Sequence, residues 1–94
     1  MNYYIITFDR HPSADYKTFH EKFVSNPNII RWFHYIKSSY IIGTTLDASN
    51  LSQHFMNTAE SLSIKSTHLV IGVDLKVRQG MLPKSAWEWF KKHP

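Results

Sequence analysis

The chain has 94 residues, of which 43% are hydrophobic and 15% aromatic, a composition typical of one folded domain rather than of a disordered segment. It has no cysteine, which excludes a disulfide framework, a thiolate metal site and a cysteine nucleophile. The formal net charge of +4 allows an anionic partner such as nucleic acid, although a charge of this size also serves solubility alone. Without an apolar stretch of membrane-spanning length or a signal-peptide pattern, we expect a cytoplasmic protein with no membrane partner.

The first predicted elements are a strand and a helix. Residues 3–8 are apolar on both faces, which is typical of a central strand, and this strand stops at Asp9. Ser13 or Asp15 can then cap a helix. The apolar residues of that helix recur at helical spacing and form one stripe, which consists of Tyr16, Phe19 and Phe23.

A β-hairpin and a second helix follow. Residues 29–45 favour strand almost throughout, and this stretch is too long for one strand of ordinary length. Its polar break at residues 37–39 predicts a tight turn between strands at 30–36 and 40–44. A second capping signal at residues 47–49 precedes another amphipathic helix.

The last part of the chain predicts a strand and a helical tail. Residues 68–75 form the last strand of the prediction, and residues 75–78 either prolong it or form a fifth strand. Pro83 suits the first turn of a short helix. The aromatic residues that we expect to hold this helix against the core are Trp87, Trp89 and Phe90.

These elements read β-α-β-β-α-β, followed by the tail helix. With right-handed crossovers they predict a ferredoxin-like α+β sandwich, which forms a single domain over residues 1–94. Its antiparallel four-stranded sheet would have the strand order 4-1-3-2, with both main helices on one face. We expect Asp9 and His68 to be close neighbours at one end of this sheet. The residues expected around the same rim are Arg10, His11, Thr44 and Thr45.

The sheet face without helices must be solvated, covered or used for a ligand. Its aromatic residues are dense enough for two roles, namely a dimer interface or a surface on which unpaired bases stack. We favour the dimer, because the octapeptide signature of RNA-recognition domains is absent. The residues assigned to this face are Tyr3, Tyr35 and Tyr40, with Trp32 or Phe33.

The histidines show no spacing typical of a zinc site, and no cysteine supports one. His34 alternates with Trp32 and Ile36 on one strand face, which favours a half-buried side chain. His20 and His54 fall on the predicted helices, where we expect them at the surface.

Several short patterns carry a resemblance to a known family. They are residues 4–9, Asp15-Tyr16, residues 32–42, Leu69-Val70 and the Trp-rich end. Together they resemble the SinR-like family of small bacterial and phage proteins, which is similar to the small, nuclease-like adaptation subunit of the CRISPR spacer-integration complex. The resemblance spans roughly residues 3–90 and implies a ferredoxin-like homodimer, joined through the segment after strand 4, with a role in phage defence.

The resemblance also implies a role for the aspartate that ends strand 1, which is Asp9 here. This aspartate would face its counterpart across the dimer interface. In the CRISPR subunit the aspartate pair is tied to divalent-metal-dependent nuclease activity in some members and is dispensable in others. Ser38 matches a serine that is frequent at the hairpin of the family.

The chain departs from the CRISPR subunits directly after Asp9. Those subunits usually continue with an apolar or small residue, whereas Arg10 and His11 follow here. They put positive charge where a metal would sit, which weakens the metal-nuclease interpretation. The same charge suits a phosphate and favours an anionic ligand.

Three hypotheses follow. The first is a homodimer that binds nucleic acid or a nucleotide through a basic rim. The second is a Mg²⁺-dependent nuclease or phosphodiesterase in which Asp9 of both subunits is the catalytic residue and the metal ligand. The third is a phage or host protein-interaction module. The ligand-binding residues of the first hypothesis are Arg10, His11, Arg31, Ser38 and His68.

Overall fold

The computed structural model describes residues 1–92. This part of the chain contains, in order, β1 (Asn2–Phe8), α1 (Tyr16–Val24), β2 (Ile29–Ile36), β3 (Ser39–Thr44), α2 (Ala48–Ser61), β4 (His68–Gly72) and α3 (Lys84–Lys92). The strands form one antiparallel sheet in the order β2-β3-β1-β4. The α+β class, the four-stranded sheet and its strand order are therefore confirmed. The last two residues of the predicted 1–94 domain lie outside the described residues.

Two aspartates are the N-caps of the main helices. Asp15 is the N-cap of α1, where its carboxylate accepts hydrogen bonds from the backbone N–H of Thr18 at 3.0 Å and from the Thr18 hydroxyl at 2.6 Å. These bonds favour the charged carboxylate and hold the pKa of Asp15 below its ordinary value. Asp47 caps α2 in the same way, by accepting from the backbone N–H of Asn50 at 2.8 Å. Of the two candidates for the first cap, Asp15 and not Ser13 takes the role.

The end of α2 has a feature that the sequence did not reveal. The backbone N–H groups of Ser63 and Ile64 donate to the carbonyls of Glu60 and Ala59, at 3.0 Å and 2.9 Å. This is the Schellman pattern of a helix C-terminus, and it requires a left-handed residue after the cap. Ser63 takes that position with a φ of 56°, where glycine is the usual residue.

The main core lies between the sheet and the helices α1 and α2. Alternate residues of β1 point into it, and the two helices contribute their apolar stripes. Removing large side chains such as Phe19 and Phe55 from water contributes roughly 1.5–3 kcal/mol each. The buried members of this cluster are Tyr4, Ile6, Phe8, Phe19, Phe23, Ile29, Tyr40, Ile42, Leu51, Phe55, Ala59 and Ile64.

A second, smaller core lies on the opposite face of the sheet. Ile41, Leu75 and Phe90 are its buried members. The ring of Trp89 stacks on Phe33 of β2 with centroids 5.3 Å apart, and partly buried Trp87 packs on the same cluster. The tail helix α3 thus covers part of the face that lacks α1 and α2, and the predicted role of its aromatic residues is confirmed.

Tyr40 corrects the prediction for that second face. It pairs with Ile6 of β1, is 1% exposed and belongs to the main core under the helices. The prediction was wrong because every residue of β3 is buried. Such a strand shows no polar alternation from which the face of a given side chain could be assigned.

The end of the sheet also differs from the prediction. β4 stops at Gly72, and residues 74–77 form a turn in which the N–H of Val77 donates to the carbonyl of Asp74 at 3.2 Å. The Asp74 carboxylate accepts from the N–H of Lys76 at 2.9 Å, a local bond that competes with strand pairing. Residues 75–78 therefore form no fifth strand.

The histidines on the helices are half-buried rather than at the surface. His20 lies 2.8 Å from the Tyr40 hydroxyl through Nδ1, and His54 lies 2.8 Å from the Phe23 carbonyl through Nε2. Each sits next to an apolar stripe position, which places it at the margin of the core. His34 is half-buried as predicted, with its ring 4.2 Å from that of Tyr40.

Among residues 1–92, no helix combines the length and the apolar character that crossing a membrane would require.

Candidate functional site

Three loops meet where β1 ends, and we call this region the loop end of the sheet. It consists of residues 9–14 after β1, residues 37–38 between β2 and β3, and residues 65–67 before β4. Backbone hydrogen bonds join the loops, from Phe8 to the carbonyl of Ser38 at 3.0 Å and from Asp9 to the carbonyl of Thr67 at 3.1 Å. The antiparallel order of the strands brings these otherwise distant segments to the same end of the sheet.

Asp9 ties two of these loops together. Its carboxylate accepts a hydrogen bond from the Thr67 hydroxyl at 2.5 Å, and its backbone carbonyl accepts from the Ser66 hydroxyl at 2.9 Å. The Tyr16 hydroxyl also donates to that carbonyl at 3.2 Å. Asp9 is exposed and lines a shallow depression of about 370 Å³ together with Thr67 and His68.

The residues around Asp9 do not fit a magnesium ion bound within one chain. Magnesium is held by one or two carboxylates with water and substrate phosphates. Asp9 brings one carboxylate, and one of its oxygens is engaged by Thr67. Within the described part of the chain, no group of three or more histidine, aspartate and glutamate side chains could hold a metal ion.

His68 lies beside the end of β1, as predicted, but its ring is committed to α2. His68 pairs with Phe8 across the sheet, while Nε2 lies 2.6 Å from the hydroxyl of Ser52 and the ring stacks on Phe55 at 4.6 Å. Burial disfavours the charged imidazolium and lowers the pKa of His68. A neutral, packed imidazole is poorly suited to hold a phosphate.

Arg10 is held in a defined position at the loop end. Its Nη1 donates to the carbonyl of Lys37 at 3.1 Å, and its guanidinium lies over the ring of Tyr16, 4.3 Å from the centroid. The hydroxyl of Tyr16 accepts from the backbone N–H of His11 at 2.9 Å. Tyr16 therefore positions both residues that follow Asp9, and the Arg10 side chain remains exposed.

A cleft of about 550 Å³ lies between the loop after β1 and the segment that follows α2. His11 and Lys65 bring basic groups to its walls, and Ser13 and Ser63 bring hydroxyls. Asp15 also lines the cleft, with its carboxylate engaged by Thr18. The cleft is thus mixed in character, since Ala14, Leu62 and Ile64 also line it, and Lys65 and His11 are its basic members.

Lys37 and Lys65 are the members of the loop end that sequence reasoning missed. Their positions were visible, since each lies in a loop next to a predicted strand. Only the strand order, however, brings the Lys37 loop to Arg10 and the Lys65 loop to His11. The sequence offered one partial signal for these two lysines, since each precedes a strand that is adjacent to β1 in the sheet.

Arg31 lies at the other end of the sheet. It pairs with Gly43, which also pairs with Tyr3 near the start of β1, and its Nη1 donates to the Tyr3 hydroxyl at 2.8 Å. Arg31 is therefore not part of the loop end. Ser38 is part of it, half-buried in the hairpin turn with its carbonyl bonded to Phe8.

The prediction that Thr44 and Thr45 flank Asp9 was wrong. β3 runs antiparallel to β1, so its start lies beside the end of β1: Ser39 pairs with Thr7, and Thr44 pairs with Asn2 at the far end. Thr44 is fully buried there, and its hydroxyl donates to the carbonyl of Asn28 at 2.5 Å.

The cations of the loop end have no carboxylate partner. Among residues 1–92 the only ion pair joins Lys84 and Glu88 of α3, at 4.0 Å. Arg10, Lys37 and Lys65 are therefore not neutralised by an ion pair within the described chain, and their charge is available to an anion.

We compared the chain with protein-family models, with curated proteins and with solved structures, and none of them matched. The function is therefore inferred from the geometry and charge of the loop end itself.

Proposed function

We propose that this protein binds nucleic acid or a nucleotide through the loop end of its sheet. The observation that carries the proposal is a set of three cations without an ion pair on three loops that meet at the loop end. These cations are Arg10, Lys37 and Lys65. Phosphate groups are the most common biological anions that such a cluster of Arg and Lys side chains recognises. His11 lines the adjacent cleft, where its imidazole adds a further hydrogen-bonding group.

The fixed position of Arg10 supports this role. A guanidinium that is already oriented by Tyr16 and the Lys37 carbonyl loses less conformational freedom on binding than a free side chain does. Its remaining N–H groups form a planar fork that matches two oxygens of a phosphate. Lys37 and Lys65 add point charges on either side of β1.

The assignment to a ferredoxin-like fold belongs to the same proposal. The order β-α-β-β-α-β and the packing of α1 and α2 on one face agree with that fold. This agreement supports the resemblance to the SinR-like family and to the CRISPR adaptation subunit, and with it a role in phage defence.

We further propose a homodimer that forms through β4. This strand is at an edge of the sheet, so one side of its backbone has no strand partner within residues 1–92. Leu69 and Ile71 are 56% and 50% exposed on the face opposite α1 and α2. Edge strands with exposed apolar side chains readily pair with another chain, and a second copy offers a self-complementary edge.

The test is a salt titration of binding to labelled single-stranded RNA. For single strands, each phosphate contact contributes about 0.7 to the slope of log affinity against log salt. Replacing Arg10, Lys37 and Lys65 together by Gln is expected to reduce that slope by about 2 and to weaken binding at low salt. Lys91→Gln is the matched control, since Lys91 is an exposed cation on α3.

If the triple variant bound RNA with the salt slope of the unchanged protein, the proposed interface would be refuted. If the unchanged protein bound no nucleic acid at low salt, the protein-interaction hypothesis would take its place.

The second candidate is a Mg²⁺-dependent phosphodiesterase. The exposure of Asp9 at the edge of an open depression favours it, but its metal site would need the carboxylate of a second copy. Asp9→Asn separates the two candidates. Loss of Mg²⁺-dependent RNA cleavage with circular dichroism unchanged would establish the enzyme, whereas binding without cleavage in the unchanged protein supports the first proposal.

A further inference from the structure

A mostly apolar cavity of about 290 Å³ lies on the sheet face opposite α1 and α2. Ile5 and Ile41 of the sheet line it, together with Leu75. Three aromatic residues also line it, Tyr35 of β2 and Trp87 and Phe90 of α3. Its volume is near the lower limit of about 300 Å³ for small-molecule sites, which suits one flat ring system with a sugar.

Charged and amide side chains complete the lining. Asp74, Arg78 and Gln79 come from the segment between β4 and α3. The guanidinium of Arg78 is fixed, because its Nη1 donates to the carbonyl of Leu75 at 2.7 Å and its Cζ lies over the ring of Phe90, 5.0 Å from the centroid. Asp74 accepts one bond from the N–H of Lys76, which leaves acceptor sites on its carboxylate.

Asp74 and Arg78 do not neutralise each other. They are not joined by an ion pair, since the one such pair within residues 1–92 is that of Lys84 and Glu88. The cavity therefore combines an apolar interior with one charged acceptor, Asp74, and one charged donor, Arg78, both with unused capacity.

We infer that this cavity binds an unpaired guanine base, an inference that rests on the nucleic-acid or nucleotide function proposed above. The faces of a base stack on aromatic side chains. The Watson–Crick edge of guanine presents two adjacent donors, N1–H and N2–H, which match the two oxygens of a carboxylate. Its major-groove edge presents two acceptors, O6 and N7, which match an arginine fork. Asp74 supplies the first match and Arg78 the second.

The other bases fit this pair of side chains less well. Adenine has an acceptor at N1, which would face the Asp74 carboxylate, and an amino group at position 6, which would face the Arg78 donors. The pyrimidines are smaller and fill less of the cavity. The chemistry of the lining therefore discriminates among bases and does not merely tolerate any of them.

The test is the binding of GMP and AMP, measured by titration calorimetry on the full chain. We expect GMP to bind at least about tenfold more tightly than AMP, the discrimination that one good bidentate pair provides. Asp74→Asn should weaken GMP binding by a similar factor and leave AMP binding unchanged. Glu60→Gln, which removes an exposed carboxylate of α2, is the matched control and should change neither.

Arg78→Lys gives a second measurement that does not depend on Asp74. It keeps the positive charge but loses the fork, so we expect weaker GMP binding and a smaller preference over AMP. Both changes are at the exposed end of a loop, and circular dichroism will show that the fold is retained.

Equal affinity for GMP and AMP, GMP binding that survives Asp74→Asn, or the absence of saturable GMP binding would each overturn this inference. The outcome is separable from the fate of the proposed function. RNA binding that depends on Arg10, Lys37 and Lys65 but not on the presence of guanine would leave the loop end as the binding site and remove only the guanine cavity.

Discussion

The two faces of the sheet are built differently. Among residues 1–92, the buried cluster under α1 and α2 has twelve members, whereas the cluster under α3 has three. The first face has alternating inward-pointing residues from the strands and two capped helices. The second is covered by one short helix, which contacts the sheet mainly through aromatic rings. We call the face under α1 and α2 the helix face and the face under α3 the tail face. The difference indicates that the helix face holds the fold together, while the tail face has room for a ligand.

The largest expected effect tests that division directly. Phe55→Ala removes a ring that contacts Phe8, Phe19 and His68, and we expect it to lower the free energy of unfolding by about 3–5 kcal/mol. Phe90→Ala removes a ring of the same size from the tail face, and we expect a loss of less than about 3 kcal/mol, because the space can collapse when α3 shifts. Urea denaturation measures both.

Equal losses of unfolding free energy for Phe55→Ala and Phe90→Ala would contradict the inference that the helix face holds the fold together. Hydrogen exchange provides a second criterion. In the Phe90→Ala variant, exchange should accelerate in α3 alone, and in the Phe55→Ala variant it should accelerate throughout the sheet.

A smaller effect is expected from a glycine under the tail face. A Cβ atom at Gly43 would lie 2.8 Å from Cε1 of Tyr3 and 3.2 Å from the Cβ of Arg31. Gly43→Ala should therefore lower the free energy of unfolding by about 1–3 kcal/mol through overpacking. Gly72→Ala is the matched control, since its nearest neighbours are at 3.9 Å and leave space for a methyl group. A tolerated Gly43→Ala would show that the Tyr3 ring moves freely.

The smallest effect concerns pH and belongs to the helix face. Burial lowers the pKa of His20 and of His68, and His34 next to His20 lowers its pKa further, while Glu21 opposes the shift. Because the folded state binds protons less readily than the unfolded state, the free energy of unfolding depends on pH. The stabilising contribution of these histidines is complete above the unfolded pKa near 6.5. It is lost as the pH falls below that value towards the folded pKa.

Thermal unfolding between pH 8 and pH 5 measures this contribution. We expect the melting temperature to fall on acidification, and we expect His68→Gln to show a shallower fall. His11→Gln is the control, because His11 is exposed and lines the loop end. An identical pH dependence for His68→Gln and the unchanged protein would mean that His68 does not contribute to it.

The sequence predicted those parts of the fold in which a local signal determines the structure. The apolar run before Asp9, the polar break at residues 37–39 and the capping aspartates each act through neighbouring residues. The direction of side chains in β3 was not predictable, because a strand that is buried on both faces has no alternation.

The candidate site was only partly predictable for a different reason. Asp9, Arg10 and His11 are consecutive, so the end of β1 was found. Lys37 and Lys65 join them through strand order, and Arg31 is removed from them by the antiparallel pairing of β2 and β3. The residues next to each lysine in the sequence do not indicate how distant strands pair.

The position of β1 in the sheet has a consequence for synthesis of the chain. β1 is translated before both of its partners: it pairs with β3 on one side and with β4 on the other, and these strands begin at Ser39 and His68. While the ribosome is still adding residues, β1 therefore has two open edges, then one, and the last edge closes only when β4 emerges. A nascent chain that stalls before β4 would expose this strand to chaperones and to other nascent chains.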